Sequence, residues 1–451
     1  MPNRDITEYI HVKDNDLWIE DRSIPGLIEQ YGSPLFATSE KAIRSNVRKF
    51  YQAFKDRYPG NIIVCVGMKA NWRLATRKII VQEGGGGDAF GLGELHLALL
   101  AGTDPEKVVV NGPNKSEDVL LAALHSGVHI NVDDLEELER ITLLARTMEK
   151  TARVSLRIRM PLQSLNGRRF VDPRYKPPGI DVSKWEREFK FGMEPEVLME
   201  AVGRALNEER VQLEGIHYHG GIPRRAGYSR EETIELMDWI AEIKTRFGWQ
   251  PARLNLGGGY PKDRYGVFNP HPIEEHAEAI TSTIRQKAEE SGLRLPDLIL
   301  EPGRWCLEDA TVYVTRVGSI KEDRTLTNKK WVYVDGSINE MGDPFDPFQG
   351  YHPVVIANRA DASNEHVVDI CGPLCNAADI LASERPIPRV QRGDLIAFLS
   401  MGAYNEAFSN QANAMPRSAS VLVNVARSDL IRRRETVQDL FSRDLVPFWL
   451  L

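Results

Sequence analysis

Lys69, Asp88, Arg157, His217, His219, Gly257 to Gly259, Glu301 and Arg304 all stand at or just past the end of a short, apolar, β-rich run. Lys69 follows "IIVCVGM" and precedes "WRLATRKIIVQE", a stretch with helical spacing. A bare cation is costly at the mouth of a buried strand, while an amine there is a nucleophile toward a carbonyl. "LNLGGGYP" puts three glycines after a strand, where unobstructed backbone N–H groups can approach an anion. It is not the G-x-G-x-x-G fingerprint, which disfavours a nicotinamide or flavin dinucleotide. "ILEPGRW" ends its strand with the Glu301 carboxylate, then Pro302, Gly303 and the Arg304 guanidinium. Taken singly, each has an ordinary explanation: a snorkelling lysine, a core histidine, a glycine turn. Together, an amine, an anion cradle, a carboxylate and a histidine able to stack on a ring suit pyridoxal phosphate. That coenzyme needs an amine to form a Schiff base, a site for its phosphate and a partner for its pyridine nitrogen.

Eight such runs alternate with longer amphipathic stretches between residues 60 and 301: "NIIVCVG", "GGDAF", "KVVVNG", "GVHINV", "RVSLRIR", "LEGIHYH", "ARLNLGG" and "DLILEPG". The intervening stretches, among them "SEDVLLAALHSG" and "DLEELERITLLARTMEK", repeat apolar residues at i, i+3, i+4. Apolar strands alternating with helices make a parallel sheet covered on its outside, and eight units close into a (β/α)8 barrel. Active sites of that fold lie at the carboxyl ends of the strands, where the residues above stand. Beyond about residue 308 the segments read as strands without long helices, which indicates an α/β protein with a C-terminal β-domain. The expected division is a coenzyme-binding barrel at 36–308, with 1–35 joining 309–451 in the β-domain. Residues 160–190, long, charged and proline-containing, fit neither element type and read as a lid or a surface insertion.

A chain of 451 residues has room for two domains. Its formal net charge of -7 argues against a nucleic-acid partner, and the short basic run "LIRRRE" at 430 to 435 reads as solvated surface. Four cysteines in so long a chain do not make a disulfide framework, and Cys371 with Cys375 lacks a second cluster for zinc. No stretch reads as a signal peptide or membrane span, so a cytoplasmic location is expected.

The sequence resembles the fold-type III pyridoxal-phosphate decarboxylases, the group that includes diaminopimelate and ornithine decarboxylases. The resemblance runs from "YGSPLFATSEKAI" to "LIRRRE" through "MKAN", "GGDAFGLGEL", "VVNGPNKS", "NVDDLEELERI", "LRI", "FKFGM", "GIHYHGG", "NLGGGYP", "EPGR", "GPLCNAADIL" and "MGAYNEAF", in family order. It implies that Lys69 holds the coenzyme as an imine, that His219 stacks on its ring and that Glu301 keeps the pyridine nitrogen protonated. Gly257, Gly258, Gly259, Pro302, Gly303 and Arg304 would form the phosphate site, with Tyr404 near it and Asp88 and Arg157 lining the cavity. Cys375 would act close to the reacting carbon from the second subunit of a homodimer with shared active sites.

Departures from the family pattern bear on the substrate side, where Arg304, Asp343, Asn376 and Tyr404 are the expected contacts. The residue after the cysteine, acidic in the relatives, is Asn376, and an amide gives no charge compensation to an ammonium. Asp343 precedes Pro344 where diaminopimelate enzymes carry an arginine, and an acid repels a distal carboxylate. Ile222 replaces a phosphate-contacting serine. The expectation is therefore a decarboxylase acting on an amino acid or amino-acid conjugate other than diaminopimelate, in a specialised pathway. The alternatives are diaminopimelate decarboxylase itself, an amino-acid racemase and a non-catalytic homologue.

Overall fold

The computed structural model describes residues 4–160, 190–220, 225–262, 272–342 and 351–450. The described residues divide into two units, one drawn from the chain up to Ile43 and from Leu307 onward, the other from Arg44 to Cys306.

The second unit is a closed barrel of eight parallel strands: β1 (Ile62–Gly67), β2 (Gly86–Ala89), β3 (Val108–Val110), β4 (His129–Val132), β5 (Ala152–Arg157), β6 (Val211–His217), β7 (Arg253–Asn255) and β8 (Asp297–Leu300). The expected fold is the observed one, and each strand coincides with the run that indicated it, β5 starting one residue and β6 two residues ahead of theirs. All six residues of β1 are buried, as a strand covered on both faces requires. Inside the barrel, Ile63, Cys65, Val109 and Ile299 pack together. Close strand approach constrains sequence at Gly86, where a Cβ would stand 1.9 Å from the Lys107 carbonyl oxygen. The helices around the barrel start and stop on local chemistry. Ser116 caps Glu117–Ser126 by accepting from the Val119 N–H, and Gly127 ends that helix in the left-handed region. Asp134 likewise caps Leu135–Thr147 through the Glu137 N–H; losing such a cap costs about 1 kcal/mol. These short, capped connections leave the strand ends fixed, which is what a site assembled from eight strands needs.

The other unit holds a nine-stranded sheet and a small four-stranded one. The long strand Thr311–Glu322 organises the larger sheet, pairing in turn with Leu35–Ser39, Leu395–Phe398 and Lys330–Val334. Its side chains alternate between two cores: Val312 and Val314 enter one, Tyr313 and Val317 the other. Leu35–Ser39 repeats the pattern, with Leu35 and Ala37 on one face and Phe36 on the other, stacked 4.5 Å from Tyr313. Ile10, Val12, Leu17 and Ile19 from the small sheet share the first of these cores.

Besides Arg427–Arg432, which runs into the stretch read as solvated surface, one strand beyond residue 308, Ile380–Ile387, has no counterpart in the sequence reading. Its "ILASERPI" contains Pro386, which a central strand would reject, but it forms the end of the sheet path, where a missing N–H is tolerated.

Candidate active site

At the carboxyl end of the barrel the chain places Lys69, Asp88 and Glu301 in one connected set. Lys69 sits in a single 3-10 turn straight after β1, and its Nζ donates to Asp88 Oδ2 at 2.8 Å while lying 4.3 Å from the centre of the Phe90 ring. Asp88, on β2, is buried, and its Oδ1 accepts from Asn111 Nδ2 at 2.6 Å. The same Asn111 nitrogen donates to Glu301 Oε1 at 2.9 Å, and Asn255 Nδ2 on β7 donates to that oxygen at 2.7 Å.

Glu301, directly after β8, keeps its second oxygen buried and without a hydrogen-bond partner. Burial, and then the charge of Asp88, pushes its carboxyl above the usual carboxylate range. His217 Nε2 stands 3.9 Å from Oε2, too far to hydrogen-bond. Burial and the Arg157 charge hold this imidazole well below its ordinary value, so it is neutral. A buried carboxylate oxygen left without a donor costs roughly 1–3 kcal/mol. A protonated ring nitrogen delivered to Oε2 would offset that cost.

The glycine run is where backbone comes close to other groups. A Cβ on Gly257 would stand 2.7 Å from the His219 ring, and one on Gly258 would stand 2.6 Å from the Glu301 carbonyl oxygen. Gly257 also adopts φ 62°, a conformation glycine takes at no steric cost. Its N–H goes to Asn255 Oδ1 at 2.9 Å, so Asn255 ties the glycine turn to Glu301. His219 therefore lies against the glycines and beside the strand end that carries Glu301. Arg304 is buried at the start of the short helix Arg304–Leu307, and Pro302 accepts from the Gly67 N–H at 3.0 Å, joining this turn to the base of the Lys69 turn. Arg157, ending β5, is buried with Asp133 Oδ1 3.4 Å away and the Phe191 ring 4.6 Å away.

An amine held by a carboxylate, a buried carboxylate oxygen lacking a donor, and a side-chain-free turn beside a histidine match the three needs of pyridoxal phosphate. The residues present fit that coenzyme.

Cys375, Asn376 and Tyr404 belong to the other unit. Cys375 is exposed, with Sγ 3.3 Å from Asn413 Oδ1, and the exposed Asn376 turns its Oδ1 back to the Ala378 N–H. Their turn is held by Asp379, whose buried carboxylate accepts from the Leu374 N–H at 2.8 Å and the Ile338 N–H at 2.9 Å. Tyr404 has φ 64°, a backbone state uncommon outside glycine and enriched at functional sites. Asp343, Ile222 and the expected lid, apart from its first and last residues Met160 and Lys190, lie outside the described residues.

Sequence reasoning passed over Asn111, Asn131, Asn255 and Asp379. Asn111 and Asn255 carry the same signal that exposed Lys69, a polar residue at a strand end, but an amide does not advertise chemistry as an amine does.

Over residues 43–308 the chain matches the family described as pyridoxal-dependent decarboxylase, pyridoxal binding domain. It is 33% identical over 439 residues to a diaminopimelate decarboxylase of Archaeoglobus fulgidus, covering 97% of this chain and 99% of that one. Identity to the diaminopimelate decarboxylase of Methanothermobacter thermautotrophicus is 34% over 433 residues, covering 94% of each. Among solved structures, a diaminopimelate decarboxylase from M. jannaschii in co-complex with L-lysine superposes with a TM-score of 0.89 at 31% identity, over 99% of this chain and 100% of that one.

Proposed function

This chain belongs to the pyridoxal-dependent decarboxylases, and from that premise we propose that it is a diaminopimelate decarboxylase, releasing carbon dioxide from meso-diaminopimelate to leave L-lysine. That it is a pyridoxal-phosphate-dependent carboxy-lyase follows from the family itself. The observation that carries the substrate is the near end-to-end similarity to diaminopimelate decarboxylases, 33% identity over 97% of the chain. This favours the alternative over the expectation of a different substrate, because Asp343 and Asn376 are single positions set against a likeness that spans both units. Glu301, where racemases of this fold generally carry arginine, supports decarboxylation, and the intact Lys69, Glu301 and Arg304 set speaks against a non-catalytic homologue.

The coenzyme, when bound, supplies an electron sink for the pair left as carbon dioxide departs. The rest falls to the chain. Lys69 provides the amine that anchors the coenzyme, with Asp88 fixing its Nζ on one side. Glu301 offers its open Oε2 to the ring nitrogen, and a carboxylate there keeps that nitrogen protonated. His219 stacks on the ring, Arg157 lines the cavity, and Gly257 to Gly259 with Arg304 take the phosphate, with Tyr404 beside it. Proton return to the reacting carbon falls to Lys69 Nζ or to the Cys375 thiol of a second copy, so the working enzyme is a cytosolic homodimer with shared sites. Among the described residues no helix is long and apolar enough to cross a membrane.

Asn376 supports a second reading, an amino acid or conjugate without a distal ammonium to neutralise. Carbon dioxide release from meso-diaminopimelate, L-lysine, L-ornithine and a panel of amino-acid conjugates decides between the two. The proposal requires meso-diaminopimelate turnover with kcat/KM of about 10⁴ M⁻¹ s⁻¹ or more; turnover of a conjugate alone sinks it.

A further inference from the structure

We propose that Asn111 is a positioning residue that lets Asp88 and Glu301 stay ionised together in the coenzyme-loaded enzyme by giving one hydrogen of its side-chain amide to each. Asn111 stands directly after β3, the strand next to the one that carries Asp88, with its backbone N–H bonded to Ala89 O at 2.8 Å, and its side chain reaches both acids. Its Nδ2 lies 2.6 Å from Asp88 Oδ1 and 2.9 Å from Glu301 Oε1. Which end of the amide faces the acids is set from behind: Asn131 Nδ2, on β4, donates to Asn111 Oδ1 at 2.7 Å. The backbone of Asn131 is itself held, its main-chain carbonyl oxygen accepting from the buried Lys115 Nζ at 2.7 Å.

Few side chains can do this. A carboxamide nitrogen carries two hydrogens at a wide angle without adding charge, whereas a serine or a neutral histidine has one and a carboxylate none. Without the amide, two buried carboxylates would face each other in a medium that strengthens their repulsion, and one would take up a proton. Asp88 would keep Lys69 as its counter-charge. Glu301 would keep Asn255, with the neutral His217 beyond hydrogen-bond reach and Arg157 acting at a distance. Glu301 is thus the acid made more basic, and a more basic Glu301 draws the proton from the ring nitrogen onto its own oxygen. The amide then does more than fill space: it sets on which side of that hydrogen bond the proton rests.

This inference rests on the reading of Glu301 as the ring-nitrogen partner. The test reconstitutes the enzyme with pyridoxal phosphate labelled with 15N in the ring and reads the nitrogen's chemical shift at neutral pH. Wild type is expected at the protonated position, Asn111→Ala displaced toward the unprotonated one, and Asn131→Ala displaced the same way by less. An amide with a merely structural role would lower the melting temperature and leave the nitrogen where it was. Asn111→Ala at the wild-type position, while Glu301→Gln moves, overturns the inference and spares the Glu301 reading. A Glu301→Gln signal identical to wild type overturns that reading instead. If Asn111→Ala does not fold, Asn131→Ala decides alone, and an unmoved nitrogen there overturns the proposal.

Discussion

At the mouth of the barrel Lys69, Asp88 and Glu301 are held by side chains reaching from neighbouring strand ends, whereas between Gly372 and Asp379 the Cys375 and Asn376 side chains are exposed and the buried Asp379 carboxylate holds backbone. In the first region fixation is electrostatic. Each bond that places a group also sets its charge, as when Asn111 and Asn255 share one oxygen of Glu301. In the second, Asp379 grips two backbone N–H groups, while Cys375 bonds Asn413 and Asn376 bonds the Ala378 N–H. The difference teaches how the parts divide the labour. Groups that must keep a charge state are buried with their partners on one rigid scaffold. The Cys375 thiol, proposed above to meet a substrate, is carried exposed on a clamped turn. That openness fits a residue supplied to another copy's site, and it makes the two regions separable by experiment.

The sharpest separation comes from the anchor. Lys69→Ala should remove the visible absorbance of bound coenzyme and cut activity by roughly 10⁴-fold or more, the scale of losing a covalent catalyst; a persisting band would mean that another amine holds the coenzyme. Cys375→Ala should leave that band unaltered and lower kcat about a hundredfold, as for a lost proton donor. Mixing the two variants and allowing subunits to exchange should restore activity. No recovery in proven heterodimers would mean that Cys375 serves its own chain. Smaller again, Asp379→Ala should leave the band intact and lower kcat roughly tenfold, about 1.4 kcal/mol on the barrier. Asp379→Asn, which retains one acceptor oxygen, should fall between. A changed coenzyme spectrum in either variant would break the claim that the turn and the barrel mouth are separately organised.

The same contrast explains what the sequence made legible. Barrel strands announce themselves because burial on both faces demands apolar runs, and the reactive residues are then whatever polar group ends each run. Lys69, Glu301 and the glycines were visible on that basis. Asn111 was not, because its role depends on standing between two acids that are distant in sequence and adjacent only once the barrel closes. In the sheet unit, Ile380–Ile387 carries proline, serine and charge and lacks a strand's signature, being permitted only by its place at the end of the sheet path. Asp379 is hidden similarly: what it grips is backbone, which has no letter in the sequence.

The smallest expected effect tests whether charge is set at the mouth as described. In the coenzyme-free protein Glu301 has its carboxyl raised above the ordinary carboxylate range by burial and by Asp88. The folded state then holds a proton that the unfolded chain has already released, over the window from the ordinary carboxylate value of about 4.3 up to the raised one. Stability must therefore fall as pH rises through that window, by at most about 1.4 kcal/mol per pH unit from this group. Coenzyme would, on the proposed reading of Glu301 as the ring-nitrogen partner, keep this carboxyl ionised and remove the slope. Denaturant melts of the coenzyme-free protein at several pH values, compared with Glu301→Gln and Cys375→Ala, isolate the contribution. Glu301→Gln should flatten the profile, while Cys375→Ala, confined to the turn, should reproduce the wild-type slope. A Glu301→Gln protein as pH-sensitive as its parent would mean that the proton is held elsewhere, and that the barrel mouth fixes position without fixing charge.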